Sequence, residues 1–236
     1  MTRHGSDVGG LVLAVVPARG TSRGLPGKHL LRIGGEPLIA HTIRAGLDAA
    51  RVDHVLVSTD APAIRAAAIA NGAEAPFLRP PELSGDATPT APVIVHAVEW
   101  FERAAGRSVA TVVTLQATSP LRTAAEIDAA IALLDDEAVD SAVSVATTGL
   151  PASVLGLIGS GRWRPIVSPN GDARRQSAPA VHRLTGGIYV TRRNVLTVDR
   201  ILGDSPAALV VDAISAIDVD TIDDLRAARA AWRRAR

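Results

Sequence analysis

The stretch Leu11–Leu31, LVLAVVPARGTSRGLPGKHLL, decides how the rest of the chain is read. Its first six residues, Leu11 to Val16, are apolar and rich in valine and leucine, and Pro17 ends the run. Such a run reads as a strand buried on both faces of a parallel sheet. From Pro17 to Gly27 the chain is a loop with Gly20, Gly24 and Gly27, two prolines, two hydroxyls and two arginines, and it ends on Lys28. Glycines let a backbone turn sharply and bring its N–H groups to a ligand, while Arg19, Arg23 and Lys28 add the positive charge that phosphates need. Open α/β sheets bind nucleotides where a buried strand empties into such a loop.

Spacing excludes two familiar phosphate loops. The pattern G-x-x-x-x-G-K-[ST] needs glycine where Ser22 stands and a hydroxyl where His29 stands. The dinucleotide fingerprint G-x-G-x-x-G is absent too, because Gly20, Gly24 and Gly27 fall at intervals of four and three. Lysine and arginine together number 25, and 24 of these are arginine, so Lys28 is the sole lysine. A chain that uses arginine everywhere else keeps one lysine in its glycine-rich loop, where a compact charge can reach a phosphate oxygen.

The run Pro17-Ala18-Arg19-Gly20-x-Ser22-Arg23-Gly24-Leu25-Pro26-Gly27-Lys28 resembles the N-terminal signature of the acylneuraminate cytidylyltransferases, the CMP-sialic acid synthetase family. The related CMP-Kdo synthetases share the arginine, serine and Leu-Pro-Gly-Lys pattern but lack a glycine at the place of Gly24. The resemblance implies a Rossmann-like nucleotidyltransferase fold: an α/β domain with a mostly parallel central sheet, flanking helices and a small β-rich dimerisation insert.

Composition sets further bounds. At 236 residues, 47% apolar but only 3% aromatic, the chain can bury a substantial core made of Ala, Val, Leu and Ile. The net charge of +1 gives no global field for nucleic acid or a membrane surface. No apolar run reaches the length of a membrane span, and MTRHGSDVGG lacks the hydrophobic segment of a secretory signal, so a cytoplasmic protein is expected. Cysteine is absent, and the six histidines show no H-E-x-x-H pattern, which excludes disulfides, thiolate catalysis and the common zinc sites. Residues 1–10 read as a disordered tail and residues 11–236 as a single domain.

Taken in order, Leu38–Ala50 reads as a helix behind Pro37, and His54–Thr59 as a second buried strand. Asp60 is the expected N-cap of a helix entered through Pro62 and closed by Asn71-Gly72. Ala75–Leu78 is expected to be a third strand, and Thr88-Pro89 to start a helix with Ile94, Val98, Phe101 and Ala105 on one face. His96 on that helix reads as a structural histidine. Ala110–Leu115 is a fourth strand, and Thr123 with Glu126 forms a capping box for the helix that follows. Ser141–Val145 reads as a strand, with short β segments at Val154–Ile158 and Trp163–Val167. Ile214–Val219 is expected to be the last strand. In an extended chain Asp218 and Asp220 share a face, roughly 6–7 Å apart, and two carboxylates so placed suit Mg²⁺ or Mn²⁺ shared with phosphates. The alternative for Asp220 is a cap on the helix Thr221–Arg234.

Two later stretches extend the resemblance. Gln116-Ala117-Thr118-Ser119-Pro120-Leu121-Arg122 is similar to the family's Q-P-T-S-P-L-R, with Ala117 in place of the proline, and Asp218-Val219-Asp220-Thr221 matches its third signature. By resemblance, Arg79 in L-R-P-x-E-L and Thr90 reach the cytosine, Gln116 contacts the acceptor sugar, and Arg175 and Tyr189 sit on the acceptor side. For the last two, a solvated arginine and a core tyrosine remain the alternative. Arg183 also matches a family position by spacing. The implied dimerisation insert covers about residues 146–187 and closes the acceptor pocket of a partner in a homodimer.

The expected activity is transfer of CMP from CTP to the anomeric hydroxyl of an acidic sugar. Arg19 and Lys28 supply charge, Ser22, Arg23 and His29 hold nucleotide, and Asp218 with Asp220 carries the metal; Arg19, Lys28 and Asp220 form the catalytic set. His29 and Thr185 stand where the family has asparagine, and Ser153 where it has a lysine, so the acceptor stays open. Kdo, a sugar 1-phosphate or a catalytically silent nucleotide-binding role are the alternatives.

Overall fold

The computed structural model describes residues 10–22, 24–166, 180–204 and 206–234. The expected tail ahead of residue 10, and the candidate residues Arg23 and Arg175, lie outside them.

The elements run β1 (Leu11–Pro17), a 3₁₀ turn at Lys28–Leu30, a small hairpin of β2 (Arg32–Ile33) and β3 (Glu36–Pro37), and α1 (Leu38–Asp48). Next come β4 (His54–Ser58), α2 (Pro62–Ala70), α3 (Thr90–Ala105), β5 (Val109–Leu115), α4 (Ala124–Ala132) and β6 (Ser141–Pro151). A hairpin of β7 (Gly156–Gly159) and β8 (Arg162–Pro165), then β9 (Ala180–Arg192), β10 (Ala207–Val210) and α5 (Ile222–Arg234) complete the chain. Six strands form one sheet in the order β10-β6-β9-β5-β1-β4. β9 runs antiparallel to β5 and β6, and the other pairings in this sheet are parallel.

β1 is central, and its side chains alternate as a period of two requires. Leu11, Leu13 and Val15 pack with Ile94, Val98 and Phe101 of α3 on one face. Ala14 and Val16 pack with Ile39 and Ile43 of α1, Ile64 of α2 and Ile127 of α4 on the other. The apolar run therefore serves both faces of a sheet covered by helices. Among the described residues no helix is long and apolar enough to cross a membrane.

Four local expectations are corrected. Ala75–Leu78 is not a strand: a single parallel bridge joins Leu56 to Glu74, and Pro76, lacking an N–H, cannot extend the ladder. Asp60 does not cap α2, whose N-cap is Ala61 without a side-chain bond. α3 begins at Thr90 behind Pro89, two residues past the expected Thr88, and Ala105 of its expected apolar face is exposed. Ile214–Val219 is not a strand either. The carboxylate of Asp212 accepts from the N–H groups of Ile214 and Ser215 at 2.9 and 2.7 Å, which folds that segment into a turn. The strand beside β6 is β10 instead. In place of the short β segments expected at 154–158 and 163–167, the β7–β8 hairpin occupies Gly156–Gly159 and Arg162–Pro165, and residue 167 lies outside the described residues.

Candidate active site

β1 delivers the glycine-rich loop to the C-terminal edge of the sheet, and β5, β9 and the segment before α5 meet it there. A cavity of about 410 Å³ opens at this edge. Arg19, Lys28, His29, Arg79, Thr90, Gln116, Tyr189, Asp218 and Asp220 all line it. The structure therefore gathers nine of the described candidates around one space. Ser22 is not among the lining residues; its Oγ accepts from the Leu25 N–H at 3.4 Å and so shapes the loop. Arg183 stays outside as well, donating to the carbonyl of Ala216 at 3.1 Å.

The acid pair reaches the lysine through a local device. Thr221 caps α5: Asp224 N–H donates to Thr221 Oγ1 at 3.2 Å, and Asp224 Oδ2 accepts from the Thr221 N–H at 2.8 Å. Asp220 is thereby released from the capping role that was its alternative, and Lys28 Nζ donates to its Oδ1 at 2.6 Å. Val219 between the acids is fully buried against Ile33, Leu38 and Leu225, and its N–H donates to the Thr118 carbonyl at 2.7 Å. With that apolar side chain anchored inward, both flanking carboxylates face the cavity. The loop also crosses this segment closely. A Cβ on Gly24 would lie 2.7 Å from the Asp220 carbonyl oxygen, so only glycine fits there.

Burial sets the charge states. It pushes the Asp218 carboxyl above its ordinary range, with a hydrogen bond to Thr118 acting against it and Asp220 adding to the rise. Asp218 Oδ1 is buried with no hydrogen-bond partner among the described residues. His29 is lowered to about 4, first by burial and then by the charges of Lys28, Arg19 and Arg79, so its imidazole is neutral at physiological pH. Burial lowers Arg79 and raises Tyr189, and in the tyrosine Asp218 adds to the rise. His96 makes an edge contact with Phe77 at 4.9 Å, in keeping with a structural histidine.

Two arginines are held by acids at the rim and wall. Arg19 Nη1 donates to Asp86 Oδ1 at 3.1 Å, and Arg79 Nη2 lies 3.6 Å from Asp60. Nothing in the sequence gives Asp86 or Arg122 a functional role, and Asp60 carries only the helix-capping expectation corrected above. Arg122 is buried beneath Gln116, donates from Nη2 to its carbonyl, and is lowered to about 9 by burial. It ends the Gln116–Arg122 motif, and that position was the available signal. Thr185 is buried and bonded to Ser144 at 2.6 Å, so its hydroxyl holds β9 against β6.

The site combines a glycine loop, three cations, a neutral histidine and two carboxylates at a sheet edge. This arrangement can hold a nucleoside triphosphate beside a polar acceptor. A family model described as cytidylyltransferase matches residues 13–156. The chain is 31% identical over 214 residues to a CMP-N,N'-diacetyllegionaminic acid synthase of Legionella pneumophila, covering 89% of this chain and 91% of that one. It is 33% identical over 232 residues to a 3-deoxy-manno-octulosonate cytidylyltransferase of Rhodopseudomonas palustris, covering 90% of each. A solved CMP:2-keto-3-deoxy-manno-octonic acid synthetase in complex with CTP superposes with a TM-score of 0.71 at 24% identity, over 96% of this chain and all of that one, which shows a shared fold. The chain belongs to the cytidylyltransferase family and is a cytidylyltransferase.

Proposed function

We propose that the protein transfers CMP from CTP to the anomeric hydroxyl of an acidic sugar of the ulosonic or sialic type, releasing pyrophosphate. The reading is carried by the convergence of the sole lysine and the acid pair on one cavity, with Lys28 Nζ 2.6 Å from Asp220.

In the reaction the hydroxyl oxygen bonds to the α-phosphorus as the bond to the pyrophosphate oxygen breaks, and the hydroxyl proton is released to solvent. Phosphoryl transfer asks mainly for alignment and neutralised charge. Arg19 and Lys28 neutralise the triphosphate, and Arg79 and Thr90 face the base. Thr90 opens α3, whose Pro89 cap makes no side-chain bond, so the first-turn N–H groups favour an electron-rich ligand. Neutral His29 contributes hydrogen bonding without further charge. Gln116 and Tyr189 serve the acceptor, with Arg175 assigned there by family pattern alone; Arg23 is assigned to the nucleotide by its charge in the glycine-rich loop.

The acids suit a divalent cation. Asp218 Oδ1 is an orphaned buried carboxylate oxygen, and Asp220 offers a second hard donor in the same cavity. Mg²⁺ retains water and takes one or two carboxylates plus substrate phosphates. Asp218 and Asp220 would hold it, and it would supply charge neutralisation on the phosphates. The β7–β8 hairpin exposes Leu157, Ile158 and Trp163 at 65%, 79% and 54%, an apolar surface that suits the contact of a homodimer.

The decisive experiment measures pyrophosphate release with CTP, Mg²⁺ and a panel including N-acetylneuraminic, legionaminic and 3-deoxy-manno-octulosonic acids. Turnover with at least one of them is expected. Release with none, or equal release with a sugar 1-phosphate and another NTP, would overturn the reading.

A further inference from the structure

Asp60 follows β4 at the same sheet edge, yet it does not itself line the cavity. Its Oδ1 accepts the Gly20 N–H at 2.8 Å and lies 3.6 Å from Arg79 Nη2. One carboxylate oxygen thus faces both the glycine-rich loop and the Arg79 guanidinium. The loop is seated closely on this corner: a Cβ on Gly20 would come within 2.8 Å of the Ala61 Cβ. Arg79 has two further anchors, its main-chain N–H donating to the Thr59 carbonyl at 2.7 Å and its Nε to Ser84 Oγ at 3.3 Å, but neither is a counter-charge. Its side chain is only 4% exposed, and a guanidinium so far from water needs a counter-charge.

We infer that Asp60 is a positioning residue which, through Gly20 and Arg79, fixes the phosphate-binding and base-binding halves of the nucleotide site relative to each other. The inference rests on the reading of this cavity as a CTP site. Its mark is selectivity: with Arg79 loosened, the site should lose base preference before it loses affinity for phosphate.

Two substitutions separate the contacts. Asp60→Asn keeps an acceptor for the Gly20 N–H but removes the charge facing Arg79, whereas Asp60→Ala removes both. Calorimetric titration of the full chain with CTP, UTP and inorganic tripolyphosphate, alongside melting temperatures, reads the result. Asp60→Asn is expected to reduce the CTP-over-UTP preference about tenfold while tripolyphosphate binding stays within about twofold. Asp60→Ala is expected to weaken tripolyphosphate about tenfold as well. A uniform weakening of all three ligands with the preference intact marks a merely structural role and overturns the inference, as does an unchanged preference in Asp60→Asn. If the unsubstituted protein shows no preference for CTP, the CTP reading falls. Asp60 is then judged by tripolyphosphate alone, and unchanged binding in Asp60→Ala overturns it.

Discussion

Lys28 and Asp220, separated by 192 positions, meet at 2.6 Å in the lining of the cavity. The lysine side chain is 11% exposed and the aspartate 64%, so the pair adds at most about 1 kcal/mol to stability. In the proposed reaction its value is catalytic charge. Lys28→Ala is expected to lower kcat by about 10²–10³-fold with an unchanged circular dichroism spectrum. Near-full pyrophosphate release in that variant would remove the lysine from the mechanism.

Arg19 is engaged by Asp86, through Oδ1 at 3.1 Å and the main-chain carbonyl at 3.2 Å. In the proposed function a triphosphate arriving on Arg19 would compete with that carboxylate. Both groups are partly exposed, so Asp86→Asn is expected to lower the KM for CTP modestly, about two- to fivefold. Arg19→Ala should raise it. A higher KM in Asp86→Asn would instead show that the carboxylate helps hold the nucleotide.

His29 links the site to acid stability. Its value is about 4 in the folded protein against 6.5 when free, so between these pH values the unfolded chain binds more protons. The stability it permits is complete above pH 6.5 and is lost as the pH falls toward 4. The full gap corresponds to about 3 kcal/mol. Denaturant unfolding at pH 7 and pH 4.5 should show a loss roughly 2–3 kcal/mol larger in the native chain than in His29→Asn. Equal losses would place the acid sensitivity elsewhere.

The capping box of α4 gives a contrast with no catalytic content. Thr123 Oγ1 accepts from the Glu126 N–H at 3.2 Å, and Glu126 Oε2 accepts from the Thr123 N–H at 2.8 Å. Thr123→Ala is expected to cost about 1 kcal/mol and about 2–4 °C in Tm, with kcat/KM preserved.

What the sequence made legible was what depends on neighbours along the chain. The apolar run of β1 and the Thr123–Glu126 cap are local patterns, and each stands as read; the glycine loop is equally local, and Lys28 at its end lines the cavity. The acid pair was found by its spacing, although the strand proposed to carry it is a turn and an anchored loop built around Asp212 and Val219. β10, AALV, is too short to show a period and resembles the helical alanine-rich stretches around it. Asp60 precedes Ala-Pro in a pattern that mimics a helix start, while its real partners, Gly20 and Arg79, stand on other segments. Arg122 was marked only by its place at the end of the Gln116–Arg122 motif, and its burial could not be read there, because nothing in a string of letters separates a solvated guanidinium from one buried under a carbonyl.

A chain with one side-chain amine offers a selective chemical handle. An acylating reagent such as a succinimidyl ester can modify only Lys28 and the terminal amine, so the yield of the internal adduct, read by mass spectrometry, reports how open the cleft is. Saturating nucleotide should shield it, and the degree of shielding ranks ligands without any need to know the acceptor.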